Sequence, residues 1–565
     1  MRVHRLLRAT AIAVSIACAL FSAPFEAFGA PHSDAPTNAV GTPSLTDPAR
    51  LAMAQPEKHG KKPPPQDANI TTHHSDTLRS GWNANETELS PATVSSSFGL
   101  LRSIALDEQV DAQPLFVSDE TIGNHKHDVV YIATENDTLY ALDASKGTTL
   151  WQRNFGAAVP QSALPGGCGN NSAFIGINST PVIDLSTNTM YLTVDTFENN
   201  FPIYRVHAVN LSSGNDKLTP RVVTASHLLS DGTTYNFSAR ESRARAALLE
   251  ANGAIYTAFG SYCDIEANLS RGWLLGWSAN SLAPLPANEL NDRLATSPDS
   301  FFLSSIWMSG NGPAADAQGN LYYVTGNSDY SGTTYGAYNI SESVVKHSAD
   351  LSTVLSLFTP SNVAGLDQSD ADYGSGGVML LPDQAGSIPH MAVAAGKDGR
   401  LFLLNRDALG GYTPGGPDKI VGVYDVGGCW CGQAYFMGAD GVGRVVSSGG
   451  SQVRVWKIQT SPAALVNEST SATLASGQDG GFFTSVSSNG TRPGTALIWA
   501  VGRPLNNNPA TITLYAINAA NGATLFGGAA GTWPNTGGNA NIVPVAANGR
   551  VYVASYKNLS IFGLH

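Results

Sequence analysis

Charge is what this sequence has least of. Asp, Glu, Lys and Arg make up only 13% of its 565 residues, about half the share of an average soluble domain. Solvated helix faces carry most such charge, so the shortage excludes a mainly helical protein. It favours many short strands joined by turns, which 58 Gly and 31 Pro would punctuate. Positive charge is scarcer still: 32 Lys and Arg against 44 Asp and Glu give a formal net charge of −12. A surface of that sign cannot neutralise a phosphate backbone, so nucleic acid is excluded as a partner, and anionic lipid fits it poorly. Beyond the first residues no apolar run is long enough for a transmembrane segment. Cysteine is sparse too, at five.

What is present begins with a leader. Arg2, Arg5 and Arg8 form a positive head, Ala9 to Phe21 is an apolar stretch too short to span a bilayer, and Ala27-Phe28-Gly29 offers a small-x-small cleavage site. Residues 1–29 are thus expected to be a signal peptide, and the product to be exported, periplasmic or extracellular. Residues 30–78 hold eight prolines and no hydrophobic period. Such a segment cannot offset its ordering entropy and is expected to be a flexible linker, with His59, His73 and His74 as solvated side chains. Residues 79–565 are left as one folded domain.

That domain is written as a repeat. Val129 to Thr134, the turn Glu135-Asn136-Asp137 and Thr138 to Asp143 read as two alternating strands around a hairpin turn. The phrase restarts near Met190, Ile255, Leu321, Met391, Val445, Ile498 and Val551, a spacing of roughly 60 residues. One hairpin cannot bury its apolar face, whereas radially stacked blades bury each face against the next. The expected fold is therefore all-β, an eight-bladed β-propeller. The strand-like stretch Leu100 to Leu106 precedes the first full repeat and is available to complete the last blade.

The ends of the repeats carry a resemblance. Ala141-Leu142-Asp143-Ala144-Ser145-Lys146-Gly147-Thr148-Thr149-Leu150-Trp151 resembles the tryptophan-docking motif of propellers in the pyrroloquinoline quinone (PQQ) dehydrogenase superfamily, and Ala516 to Phe526 is a copy with Phe for Trp. The resemblance implies PQQ in an axial funnel beside a Ca²⁺ or lanthanide ion, with an Asp as the proton acceptor. Ile306-Trp307, followed by Thr325-Gly326-Asn327, is similar to the segment that supplies the aromatic floor (Trp307) and a metal-binding amide (Asn327). Asp367-Gln368-Ser369-Asp370-Ala371-Asp372-Tyr373 resembles the Asp-x-Trp-Asp segment, which makes Asp367 the base and Asp370 its structural companion, with Ser in place of Trp and one residue inserted. A surface turn or a small Ca²⁺ loop remains the other reading of these carboxylates. Lys397 in Gly396-Lys397-Asp398-Gly399 matches the cation that bonds the quinone oxygens, although Lys-Asp-Gly is also an ordinary hairpin turn. Asp111 stands near a PQQ carboxylate partner. Asp264, with Glu266 as its rival, stands near the carboxylate that binds Ca²⁺.

Two departures oppose that reading. The adjacent-cysteine ring that covers the quinone is missing, with Cys168 as its nearest counterpart, and Asn178-Ser179-Thr180 stands where an Arg is expected. After cleavage Cys168, Cys263, Cys429 and Cys431 remain; in an exported protein they are expected to be disulfides, with three pairings open. Two functions follow. One is a PQQ-type oxidoreductase acting on a small-molecule alcohol or sugar, with PQQ and Ca²⁺ as cofactors. The other is a binding or assembly propeller that kept its blades, lost the quinone site and meets an envelope protein. A hydrolase lacks any recognisable Gly-x-Ser-x-Gly or zinc-binding His pair.

Overall fold

The structure is a computed structural model describing residues 68–565, apart from 170–171, 295–302, 329–335, 337, 506–509 and 535–539. The signal peptide and most of the expected linker lie outside the described residues. Among the described residues eight sheets of three to five strands, antiparallel but for two short edge strands, follow one another along the chain, with two further two-stranded hairpins. The second strands of the eight are His125–Ala133, Thr189–Glu198, Ala254–Gly260, Leu321–Val324, Met391–Ala395, Gly443–Ser447, Leu497–Gly502 and Arg550–Leu564, at the eight positions where the repeat restarts. The fold is an eight-bladed β-propeller, and its blades are numbered here in that order.

Closure is provided by Phe98–Gln109, which pairs antiparallel with Arg550–Leu564, so that blade 8 combines both ends of the domain. The cores lie between blades. Val129, Tyr131 and Leu139 of blade 1 pack with Met190, Leu192 and Val209 of blade 2, and Tyr322, Val324 and Val345 of blade 4 with Leu380, Ala392 and Phe402 of blade 5. Each fully buried Val, Leu or Phe of this kind contributes about 1.5–3 kcal/mol. Trp151 is half-buried, its indole Nε1 donating to Leu211 O of blade 2 at 2.9 Å. It lies on Gly214, where an added Cβ would come within 2.7 Å of the ring. Phe526, the counterpart of Trp151, packs on Phe98 and Phe562 of blade 8.

Residues 68–78 correct the linker reading. Ala68, Ile70, Thr72, His73 and His74 are buried, and the chain from here to Asn83 visits the inner strands of all eight blades. Ile70 pairs with Phe116 (blade 1), and Thr71 O accepts from Ile183 N (blade 2). Arg79 Nη2 donates to Leu248 O (blade 3), Thr77 O accepts from Ala315 N (blade 4) and Leu78 O from Leu380 N (blade 5). Ser80 O accepts from Tyr435 N (blade 6), Trp82–Asn83 pairs in parallel with Val486–Ser487 (blade 7), and Asn83 Nδ2 donates to Ala546 O (blade 8). Composition missed this circuit because it is held by backbone hydrogen bonds and the side chains of Arg79 and Asn83, and not by side-chain periodicity. The two histidines are not solvated: their rings stack at 4.5 Å.

Candidate functional site

Loops that precede the inner strands, and loops that follow the second strands, meet in a cavity of about 310 Å³. Arg243 and Arg245 come from the start of the blade 3 inner strand, Ser305 and Trp307 precede that of blade 4, Asp370 and Asp372 that of blade 5, and Trp430 that of blade 6. Ser261, Cys263 and Asp264 follow the second strand of blade 3, and Lys397 that of blade 5.

Lys397 is the hub. Its Nζ lies 2.7 Å from Asp372 Oδ2 and 3.1 Å from Asp370 Oδ2, and 5.5 Å from the ring centres of both Trp307 and Trp430. Burial works most strongly against its charge, but the Asp372 and Asp370 carboxylates together outweigh it and move its pKa upward. Asp264 is pushed up to about 6, first by burial and then by the charge of Asp372. Arg245 stands 5.5 Å over Trp307. Burial, then the neighbouring Arg243 charge, pull Arg245 down to about 9.

Of the residues singled out from sequence, Trp307, Lys397, Asp264 and Asp370 line the cavity. Asn327 lies just behind it, its backbone N donating to Asp372 Oδ1 at 2.8 Å and its Nδ2 to Asp370 Oδ1 at 3.1 Å. Asp111 does not line the cavity; it accepts from Gln109 Nε2 at 2.8 Å, and its charge reaches Glu135 and Arg245. Asp367 is turned elsewhere, accepting from Ser328 N at 3.0 Å and Ser341 Oγ at 2.6 Å. Of the two, it is Asp370 and not Asp367 that lines the cavity. The segment read as a turn is a short helix, Val363–Ser369, and Asp370 ends it in the left-handed conformation (φ 53°), which swings its carboxylate to the cavity. Asp and Asn adopt that conformation more readily than most residues.

The cysteines pair as Cys168–Cys263 and Cys429–Cys431. The first reaches the cavity wall through Cys263, and the second closes a small ring that carries Trp430. Sequence reasoning gave no role to Arg243, Arg245, Asp372 or Trp430. The signal available for the arginines was Ser242-Arg243-Ala244-Arg245-Ala246, two charges at strand spacing in an otherwise small and apolar run.

The donor set does not fit the metal expected from Asn327 and Asp264. Asp370 and Asp372 are both turned on the Lys397 ammonium, the Asn327 amide nitrogen is turned on Asp370, and the rival Glu266 pairs with Arg240 at 2.6 Å. Among the described residues no three His, Cys, Asp or Glu side chains converge closely enough to hold an ion. The same cavity does suit a planar anion. Two indoles wall it, and the Nη2 groups of Arg243 and Arg245 are buried without a hydrogen-bond partner.

No protein-family model matches the chain, and no curated protein does. Solved structures match at the level of fold. The quinohemoprotein alcohol dehydrogenase from Comamonas testosteroni is 13% identical, with a TM-score of 0.56, and the match covers 88% of this chain and 80% of that one. Quinohemoprotein alcohol dehydrogenase ADHIIG from Pseudomonas putida HK5 is 14% identical at TM-score 0.56, with the same coverage of both chains. A europium-containing methanol dehydrogenase is 12% identical at TM-score 0.55, with 88% of this chain and 98% of that one covered. These likenesses show the fold alone, the propeller that those dehydrogenases share.

Proposed function

We propose that this chain is an exported PQQ-type oxidoreductase that takes a small alcohol or sugar into the axial funnel. The observation that carries the reading is the meeting of Trp307, Lys397 and Asp370 in one cavity although they come from three separate loops. Chance surface turns have no reason to converge. Export is supported by the leader pattern of residues 1–29 and agrees with two disulfides.

Bound here, PQQ would supply the two-electron acceptor for the hydride that leaves the alcohol carbon. Trp307 offers it an aromatic face, and Lys397 a cation that stays charged beside Asp372. Asp370 is the exposed carboxylate of the cavity and takes the substrate's hydroxyl proton. Its geometry is fixed from behind by Asn327 Nδ2 and from the side by Lys397, the kind of positioning a general base requires. Asp372, fully paired to Lys397 and to the backbone of Asn327, holds the cation rather than moving a proton. No step is assigned to a metal, because Asp370 and Asp372 are engaged by Lys397 and Asp264 accepts from Ser261 Oγ.

The test is dye-linked alcohol and sugar oxidation after reconstitution with PQQ. Asp370→Asn should keep PQQ binding and lower turnover by roughly 10²–10⁴-fold, the usual worth of a positioned base, while Asp367→Asn stays near the parent. The opposite ranking would return the base to Asp367. A parent that binds no quinone and oxidises nothing would be a binding propeller for an envelope protein.

A further inference from the structure

We propose that Arg243 and Arg245 form a clamp for the carboxylate edge of a planar polycarboxylate in the funnel. The identity of that ligand as PQQ rests on the reading above.

A guanidinium carries five N–H donors and keeps its charge in proteins, and when buried its donors are normally paired. Arg243 and Arg245 are 3% and 7% exposed and line one cavity, and each leaves Nη2 without a partner. They are two residues apart, Arg243 in the short strand Arg243–Ala244 and Arg245 just beyond it, and both face the same cavity.

Each is oriented by something other than a ligand. Arg243 Nε donates to Asn178 Oδ1 at 3.3 Å, and Asn178 in turn donates to the Glu135 carboxyl group. Arg245 is laid over Trp307. Asn178 occupies the place where the resemblance expects an arginine, so a guanidinium from the next blade now reaches that region. The cation absent from blade 2 is supplied by blade 3.

The ligand class follows from what remains unspent. Lys397 is engaged by Asp370 and Asp372, so the free donors of the cavity lie on the arginine side. Planar forks match carboxylates in a bidentate way, and the walls Trp307 and Trp430 favour a flat ring system. The geometry also orients the ligand: its acid groups face Arg243 and Arg245, and its reacting edge faces Lys397 and Asp370.

The experiment is a titration of the purified full chain, followed by tryptophan fluorescence, with three probes: PQQ, its trimethyl ester and citrate. Arg243→Gln, Arg245→Gln and Arg245→Lys are compared with the parent. PQQ should bind the parent at least tenfold more tightly than the ester. Either Gln variant should lose roughly ten- to a hundredfold for PQQ and little for the ester. Arg245→Lys should fall between, keeping the charge but not the fork. Thermal midpoints of the variants check that the fold survives. Equal affinity for PQQ and ester in the parent, or unchanged PQQ affinity in both Gln variants, would overturn the clamp and leave the quinone reading standing. Binding of citrate but not PQQ, with the same arginine dependence, would leave the clamp and remove the quinone. A parent that binds none of the three overturns both.

Discussion

Arg79 in the N-terminal circuit and Arg243 in the funnel are equally buried, at 2% and 3% exposed, yet their donors end differently. Arg79 gives Nε to Pro313 O, Nη1 to Thr72 Oγ1 and His73 O, and Nη2 to Leu248 O. Every nitrogen of its fork is spent, and the bonds join the circuit to blades 3 and 4. Arg503, beside the funnel, spends both Nη groups on the carbonyls of Asp479, Gly480, Gly481 and Trp430 and leaves only Nε over. Arg243 and Arg245 keep Nη2 in reserve. Burial of a charge therefore does not by itself mark a site in this molecule. What sets Arg243 and Arg245 apart is that both leave a terminal Nη2 over beside one cavity.

The comparison breaks most severely at Arg79. Arg79→Met removes one charge and leaves three carbonyls and a hydroxyl to find new partners, which should cost about 4 kcal/mol of stability. Arg245→Gln, at similar burial, should cost little or even stabilise, since a ligand site is not optimised for stability. Denaturant unfolding of both variants checks this. Equal losses would mean that the funnel arginine is structural.

The fold was legible because its information is periodic. The hairpin phrase recurs at eight positions, and each marks the second strand of a blade; the stretch from Leu100 to Leu106 closes the ring as its pattern suggested. The N-terminal circuit was not legible, since Thr71, Thr77, Leu78 and Ser80 act through their carbonyl oxygens, which composition does not reveal. Trp307 and Lys397 could be placed on the cavity from sequence because each stands in a fixed relation to a strand. Asp370 rather than Asp367 reaches the cavity because a seven-residue helix with a left-handed end reorients side chains that a linear register treats as one turn. Arg243 escaped because the resemblance directs attention to blade 2, where Asn178 stands.

A smaller effect separates the two regions by pH. Burial, with the Arg79 charge adding to it, pushes the His74 imidazole down to about 4, against an unfolded value of 6.5. His74 is therefore neutral in the fold, and its contribution is complete above pH 6.5 and lost as the pH falls toward 4. The difference amounts to about 3 kcal/mol. His73, stacked on it, is shifted in the same direction, whereas burial raises the Asp76 carboxyl and works in the opposite sense. The informative quantity is thus the difference between parent and His74→Gln. Unfolding free energies from pH 7 to pH 4 should fall less steeply in the variant. Parallel curves would show that the imidazole is not what acid attacks in the circuit.

The smallest effect concerns how the funnel wall is held. Trp430 sits inside the Cys429–Cys431 ring, whose cysteines are two positions apart, whereas Cys168 and Cys263 are separated by 95. In the chain-entropy account a bridge stabilises by restricting the unfolded chain, about 1.5 kcal/mol for so short a loop and about 4.5 kcal/mol for the long one. Trp430 is also fixed through its backbone, N donating to Gly480 O at 3.1 Å and O accepting from Arg503. Replacing both Cys429 and Cys431 by Ser should therefore lower stability only slightly, measured by denaturant unfolding, and leave the indole in place. Fluorescence quenching by PQQ in that double variant should keep the parent's amplitude while its Kd rises by no more than a few-fold. A loss of quenching with stability retained would mean that the covalent ring, rather than Arg503 and Gly480, aims the indole into the funnel. The wall would then be held locally, unlike the circuit, which depends on bonds to every blade.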